Sequence, residues 1–166
     1  MKTLLILRHA KSSWDDESLD DHDRPLNKRG KRDAPRMGQL LRDEDLLPEL
    51  ILCSTAVRAR KTLDKVCEAA NYGGEKALNG ELYMAGPSTY VDVLRSVDDR
   101  VERVMVVGHN PGLEELLSDL AGIDEHLSTA ALAVVELPIE RWNELELRTA
   151  GKLVQLFRPK ELPDPG

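Results

Sequence analysis

Thr3-Leu4-Leu5-Ile6-Leu7 runs without a break into Arg8-His9-Ala10-Lys11-Ser12. A short apolar run with no polar alternation marks a strand buried on both faces, which belongs in a parallel sheet covered by helices. The same pattern recurs at Leu50 to Cys53 and at Val104 to Val107. Amphipathic stretches lie between these runs. Asn27 to Asp43 reads as a helix with Met37, Leu40 and Leu41 on one face. Thr55 to Ala70 reads as a second, closed by the turn residues Asn71, Gly73 and Gly74. A short strand is expected over Lys76 to Leu78. Pro87 opens a helix running to Val97, at the first position that proline favours. Pro111 and Gly112 lead into a helix over Leu113 to Leu120. Ala131 to Leu137 and Leu153 to Phe157 read as strands joined by a polar segment around Trp142. Strand–helix alternation predicts a three-layer α/β/α fold with a mostly parallel central sheet. The last two strands have no helix between them, which predicts one antiparallel strand near the C-terminal end.

The bulk properties bound what such a fold does. At 166 residues the chain reads as one domain over 1–158, followed by a frayed tail over 159–166. The net charge of −7 argues against a nucleic-acid partner, although a whole-surface sum leaves room for a locally basic pocket. Cys53 and Cys67 fit no metal-binding spacing and read as buried free thiols, which suits a reducing cytosol. The first apolar run is cut short by Arg8, too soon for a signal peptide or a membrane span. A cytoplasmic protein with no membrane partner is therefore expected. No internal repeat or low-complexity tract is present.

In open α/β sheets, ligands bind at the carboxyl ends of strands. Strand one ends in Arg8-His9-Ala10-Lys11-Ser12. The Leu50 strand ends in Ser54-Thr55-Ala56-Val57-Arg58, and the Val104 strand in Gly108-His109-Asn110-Pro111-Gly112. Two His and two Arg thus converge on one sheet edge. A lone His there is more often a hydrogen-bonded structural residue; four such residues at three strand ends are harder to explain as packing. Guanidinium forks match phosphate oxygens bidentately and stay charged at any working pH. Imidazole, with an ordinary pKa of about 6.5, is available as a neutral nucleophile at neutral pH. Ser54 to Arg58 adds a helix N-terminus, which favours an anion. Neither G-x-x-x-x-G-K-[ST] nor G-x-G-x-x-G occurs, so a nucleotide loop is unsupported.

These motifs resemble those of the histidine phosphatase superfamily, the phosphoglycerate mutase-like fold. Arg8-His9-Ala10 is similar to its Arg-His-Gly signature. Ser54-Thr55-Ala56-Val57-Arg58-Ala59-Arg60-Lys61-Thr62 resembles its second motif and Gly108-His109 its third. Lys11-Ser12-Ser13-Trp14, Asp23-Arg24-Pro25-Leu26-Asn27 and Arg29-Gly30 extend the likeness to the SixA-like phosphohistidine phosphatase branch. The resemblance runs from Lys2 to about Leu120. It implies His9 as a transiently phosphorylated nucleophile, with Arg8 and Arg58 on the phosphoryl oxygens. His109 would donate a hydrogen bond to them, and Arg24 and Ser54 would contact the substrate. Neither a metal nor another cofactor is implied. Ala10 stands where glycine is usual, and would be strained if the backbone there had a positive φ. Glu81 is the candidate leaving-group acid; the alternative is an exposed loop carboxylate. A phosphoramidate needs such an acid less, because its P–N bond is weak once the imidazole nitrogen is protonated. That favours phosphohistidine in a protein, such as a His-phosphotransfer domain, over a small phosphate ester. The short chain between the second and third motifs leaves little for a lid and points the same way.

Two other readings stay open. Asp15, Asp16, Glu17, Asp20, Asp21 and Asp23 crowd one loop with His22. Such a run is ordinarily a solvated segment, but with His9 and His109 it could hold Mn²⁺ or Mg²⁺ for a metal-dependent phosphohydrolase. The two arginines oppose that. A non-catalytic phospho-binding module would keep Arg8 and Arg58 without needing His9 as a nucleophile.

Overall fold

A computed structural model describes residues 1–163. Six strands form one sheet: β1 (Lys2–Arg8), β2 (Leu50–Cys53), β3 (Glu75–Leu78), β4 (Arg103–Gly108), β5 (Leu132–Leu137) and β6 (Lys152–Phe157). Their spatial order is β3-β2-β4-β1-β5-β6. The strands β1 to β4 run parallel, while β5 is antiparallel to both β1 and β6. The sheet is therefore mostly parallel with one reversed strand, as the missing helix before β6 required.

The continuous apolar runs are explained by two cores, one on each face. Leu4 and Ile6 of β1 face one core with Val104 and Val106 of β4. That core is covered by α3 (Pro87–Leu94) and α4 (Gly112–Ala121). Leu5 and Leu7 face the other with Met105 and Val107, under α1 (Lys28–Asp43) and α2 (Val57–Ala70). Side chains alternate across a strand, so a run of apolar residues is needed when both faces are dry. Cys53 and Cys67 are free and buried, and burial pushes the Cys53 thiol up to about 12.

Two details differ from expectation. α3 stops at Leu94 rather than Val97, because Ser96 and Val97 donate to the carbonyls of Val93 and Leu94, three residues back, in a tighter turn. The segment between β5 and β6 is not simply polar. A 3-10 turn over Trp142–Glu144 buries Trp142 completely, and its indole N–H donates to the Val101 carbonyl at 2.8 Å. Of the expected tail, Pro159–Glu161 forms a further 3-10 turn, and residues 164–166 lie outside the described residues. No helix among the described residues is long and apolar enough to cross a membrane.

The ends of β1, β2 and β4 lie side by side. Arg8 pairs in register with Gly108, and Cys53 with Val107. The three motif segments therefore leave the sheet at one edge.

Candidate active site

Those segments surround a cavity of about 300 Å³ lined by Arg8, His9, Lys11, Ser12, Trp14, Asp21, Arg24, Arg58, Met84, His109, Asn110 and Thr129. Larger depressions exist elsewhere on the surface, but this one holds the convergent cationic and imidazole groups, and chemistry decides over volume.

His9 follows directly from β1 and is 6% exposed. Its Nδ1 lies 2.8 Å from the Ala10 carbonyl oxygen, which can only accept, so Nδ1 carries the proton. Arg58 Nε–H points at the other nitrogen, Nε2, at 3.3 Å. Nε2 is thus the lone pair presented to the cavity. Burial, then the nearby His109, Arg58 and Arg8, hold the His9 pKa down to about 3, and the ring is neutral at working pH. Ala10 does not have a positive φ, so alanine in place of glycine carries no strain there. Its N–H donates to Thr62 Oγ1 at 2.9 Å, tying the nucleophile's segment to α2.

His109 leaves β4 beside it, with ring centroids 5.1 Å apart. Its Nε2 is 2.8 Å from Ser54 Oγ, and Ser54 Oγ accepts from the Ala56 N–H at 3.2 Å. The Ser54 hydroxyl, which can donate to Nε2 or accept from it, fixes the orientation of the ring. His109 Nδ1 is buried without a partner among the described residues. Burial, then Arg58, holds this ring's pKa down to about 4. Ser54 is fully buried and orients His109; it does not line the cavity, so its expected contact with the substrate becomes a positioning role.

Arg8 donates from Nη1 to the Leu127 carbonyl at 3.0 Å, while its buried Nε has no partner among the described residues. Arg58, in the first turn of α2, donates through Nη1 to the Asp21 carbonyl at 2.7 Å and through Nη2 to Asp21 Oδ2 at 3.0 Å. Arg24 donates from Nε to Asp21 Oδ1 at 3.1 Å and from Nη1 to Ser12 Oγ at 2.7 Å. Its Cζ stacks 3.4 Å from the centre of the exposed Trp14 ring. The cavity therefore offers three guanidinium groups, among them the buried, unpartnered Arg8 Nε–H, a set built for an oxyanion.

Asp21 is the residue the charge run concealed. Its carboxylate bridges Arg24 and Arg58 and accepts from the Tyr83 hydroxyl at 2.6 Å. The Tyr83 hydrogen bond, then Arg58 and Arg24, bring its pKa down to about 2. Its spacing from Arg24 does not separate it from the other carboxylates of the loop, and Tyr83 lies 62 residues away. His22 is 3.0 Å from Thr55 Oγ1 and packs edge-on against Tyr83. Among the described residues no three His, Cys, Asp or Glu side chains converge as metal ligands. The loop carboxylates do not join His9, His22 and His109 into such a group.

Glu81 is not brought to this cavity. It lies in a 3-10 turn over Gly80–Leu82 and lines a separate depression with Leu50, Ala77 and Asp92. Its local turn, with Asn79 Oδ1 accepting the Glu81 N–H at 2.8 Å, explains its position.

Comparison with known proteins accords with this geometry. The sequence model of the histidine phosphatase superfamily (branch 1) matches residues 4–79. An uncharacterized chloroplastic protein of Arabidopsis thaliana is 36% identical over 157 residues, 86% of this chain and 70% of the relative. A crystal structure assigned as the phosphohistidine phosphatase SixA of Agrobacterium tumefaciens superposes with a TM-score of 0.82 at 31% identity, covering 95% of this chain and 98% of that one. The fold is also that of the protein histidine phosphatase SixA complexed with tungstate. That likeness has a TM-score of 0.83 at 24% identity and covers 97% and 99% of the two chains.

Proposed function

The chain belongs to the histidine phosphatase superfamily, in its SixA-like branch, and we propose that it is a phosphatase that works through a phosphohistidine at His9 and removes phosphoryl groups from histidine in a protein. The observation that carries the mechanism is the His9 ring: Nδ1 is spent on the Ala10 carbonyl, and Nε2 faces Arg58 inside a cationic cavity. Nε2 attacks phosphorus in line, and the phosphoryl group passes to His9 as the leaving group departs. Water then displaces it and restores the ring. Arg8 and Arg58 hold the phosphoryl oxygens, with His109 as a further donor as charge spreads over them in the transition state. Arg24 supplies additional positive charge at the mouth. This scheme uses no metal, and turnover in excess EDTA tests it directly.

The substrate class is supported by the mouth of the site. Trp14 and Met84 both line the cavity and are each 69% exposed. Exposed large apolar groups beside a catalytic cavity suit a macromolecular partner more than a small polar ester. The SixA-like relatives are described as acting on phosphohistidine, which agrees. The test is kcat/KM with EDTA present, on a phosphorylated His-phosphotransfer domain against sugar phosphates. The protein substrate is expected to be preferred by at least tenfold. A preference for a sugar phosphate would move the assignment to small phosphate esters.

A further inference from the structure

With Glu81 outside the cavity, the geometry points to Asp21 as the group that protonates the leaving atom and then takes a proton from the attacking water. This assignment rests on the phosphatase reading above and deepens it. Asp21 is the one carboxylate among the described residues that line the His9 cavity. It is joined to the nucleophile through a single guanidinium: Arg58 Nε faces His9 Nε2, and the Nη atoms hold the Asp21 carbonyl and carboxylate. A phosphoryl group seated on Arg58 and attacked by Nε2 has its leaving atom on the far side of phosphorus. Asp21 stands at the far end of the same guanidinium.

The carboxylate is also placed to change its protonation on binding. Arg24, Arg58 and the Tyr83 hydroxyl hold it ionised before a phosphoryl group arrives. The groups around it are Arg24 on its own loop, Arg58 on α2, Tyr83 after the Gly80–Leu82 turn, and the imidazoles of His9 and His109. A phosphoryl dianion takes over the two arginines and repels the carboxylate, which raises its affinity for a proton. The proton comes from the monoprotonated phosphoryl group as it enters. Asp21 itself is 42% exposed on a short turn, so it has room to swing from the arginines to the leaving atom.

In the first step the P–Nε2 bond forms and the bond from phosphorus to the leaving atom breaks. The leaving atom keeps the electron pair and receives the Asp21 proton. In the second step water oxygen bonds to phosphorus, the P–Nε2 pair returns to His9, and the water proton goes to the Asp21 carboxylate. The products are the protonated leaving group and inorganic phosphate, which takes the Asp21 proton as it departs and the arginines return to the carboxylate.

The test compares Asp21→Asn with the parent chain on phenyl phosphate and p-nitrophenyl phosphate, a poor and a good leaving group, and on phosphohistidine. Binding of inorganic phosphate by calorimetry reports the arginine cradle separately. A lost acid predicts a fall in kcat/KM, which reads leaving-group departure and not the later hydrolysis, of about 10²-fold on phenyl phosphate, at the lower end of what a positioned acid contributes, and of less than about tenfold on p-nitrophenyl phosphate. Phosphate is expected to bind the variant at least as tightly as the parent. Equal losses of kcat/KM on both aryl esters, with or without weakened phosphate binding, would overturn the assignment and leave Asp21 as a residue that positions Arg24 and Arg58. A gain on both would make it a competing anion instead. A parent chain with no His9-dependent turnover of any of the three substrates would fail the phosphatase reading itself, a result distinct from these.

Discussion

His9 is specified as a nucleophile by how its two nitrogens are occupied. The Ala10 carbonyl accepts the Nδ1 proton, and Nε2 carries the lone pair, which accepts the Arg58 Nε–H until a phosphoryl group takes that donor over. Arg58 is therefore expected to matter in the transition state more than in binding. Arg58→Ala should lower kcat/KM by roughly 10²–10³-fold, the effect of removing one well-placed donor to a developing anion, as steady-state kinetics would show. Ser54→Ala removes the group that orients His109, and should cost on the order of tenfold in kcat, equal to one ordinary hydrogen bond of about 1.4 kcal/mol. KM should stay near the parent value, since Ser54 does not line the cavity. The strand-end residues His9, Arg8, Arg58 and His109 were legible because their chemistry follows apolar runs directly. Asp21 was not, since a carboxylate inside an acidic loop has the same local pattern as its solvated neighbours. Its role depends on Arg58 and Tyr83, which reach it only through the tertiary fold. Glu81 was misleading for the converse reason: its place between two motifs said nothing about which cavity the 3-10 turn would face.

At the level of elements, the site depends on how the loop after β1 is pinned to α1. Asn27 caps α1 by accepting the Gly30 N–H at 2.9 Å, and its own N–H donates to the Lys11 carbonyl at 3.0 Å. A Cβ at residue 30 would collide with that same Lys11 carbonyl oxygen. Gly30→Ala should therefore destabilise the fold by about 1–3 kcal/mol in urea unfolding, the usual cost of overpacking, and should weaken phosphate binding as the Lys11–Trp14 segment shifts. Unchanged stability would show that this contact is not tight. The elements themselves were readable because both faces of the sheet are dry, giving β1, β2 and β4 their unbroken apolar runs. The end of α3 was less readable, since a switch from four-residue to three-residue hydrogen bonds leaves no mark on apolar spacing.

Across the whole molecule, the net charge of −7 coexists with a cavity lined by Arg8, Arg24 and Arg58. Burying two neutral imidazoles there has a cost that pH reveals. The folded-state pKa values of His9 and His109 lie at about 3 and about 4, below the ordinary value of 6.5. The unfolded chain therefore binds more protons in between, and their contribution to stability is full above about pH 6.5 and lost as the pH falls. Each buried imidazole contributes a slope approaching about 1.4 kcal/mol per pH unit in that window. His9→Asn should flatten the fall in Tm between pH 6.5 and pH 4.5, and an unchanged slope would contradict the buried-neutral assignment. The central claim is that His9 carries the phosphoryl group in turnover. It is tested most directly by mixing the protein with phosphohistidine substrate in EDTA, quenching in alkali, and locating the modification by mass spectrometry. The account predicts one alkali-stable phosphoryl group on His9, absent from His9→Ala, which should bind phosphate but not turn over. Full turnover by His9→Ala, or turnover by the parent with no phosphoryl group ever found on His9, would contradict it.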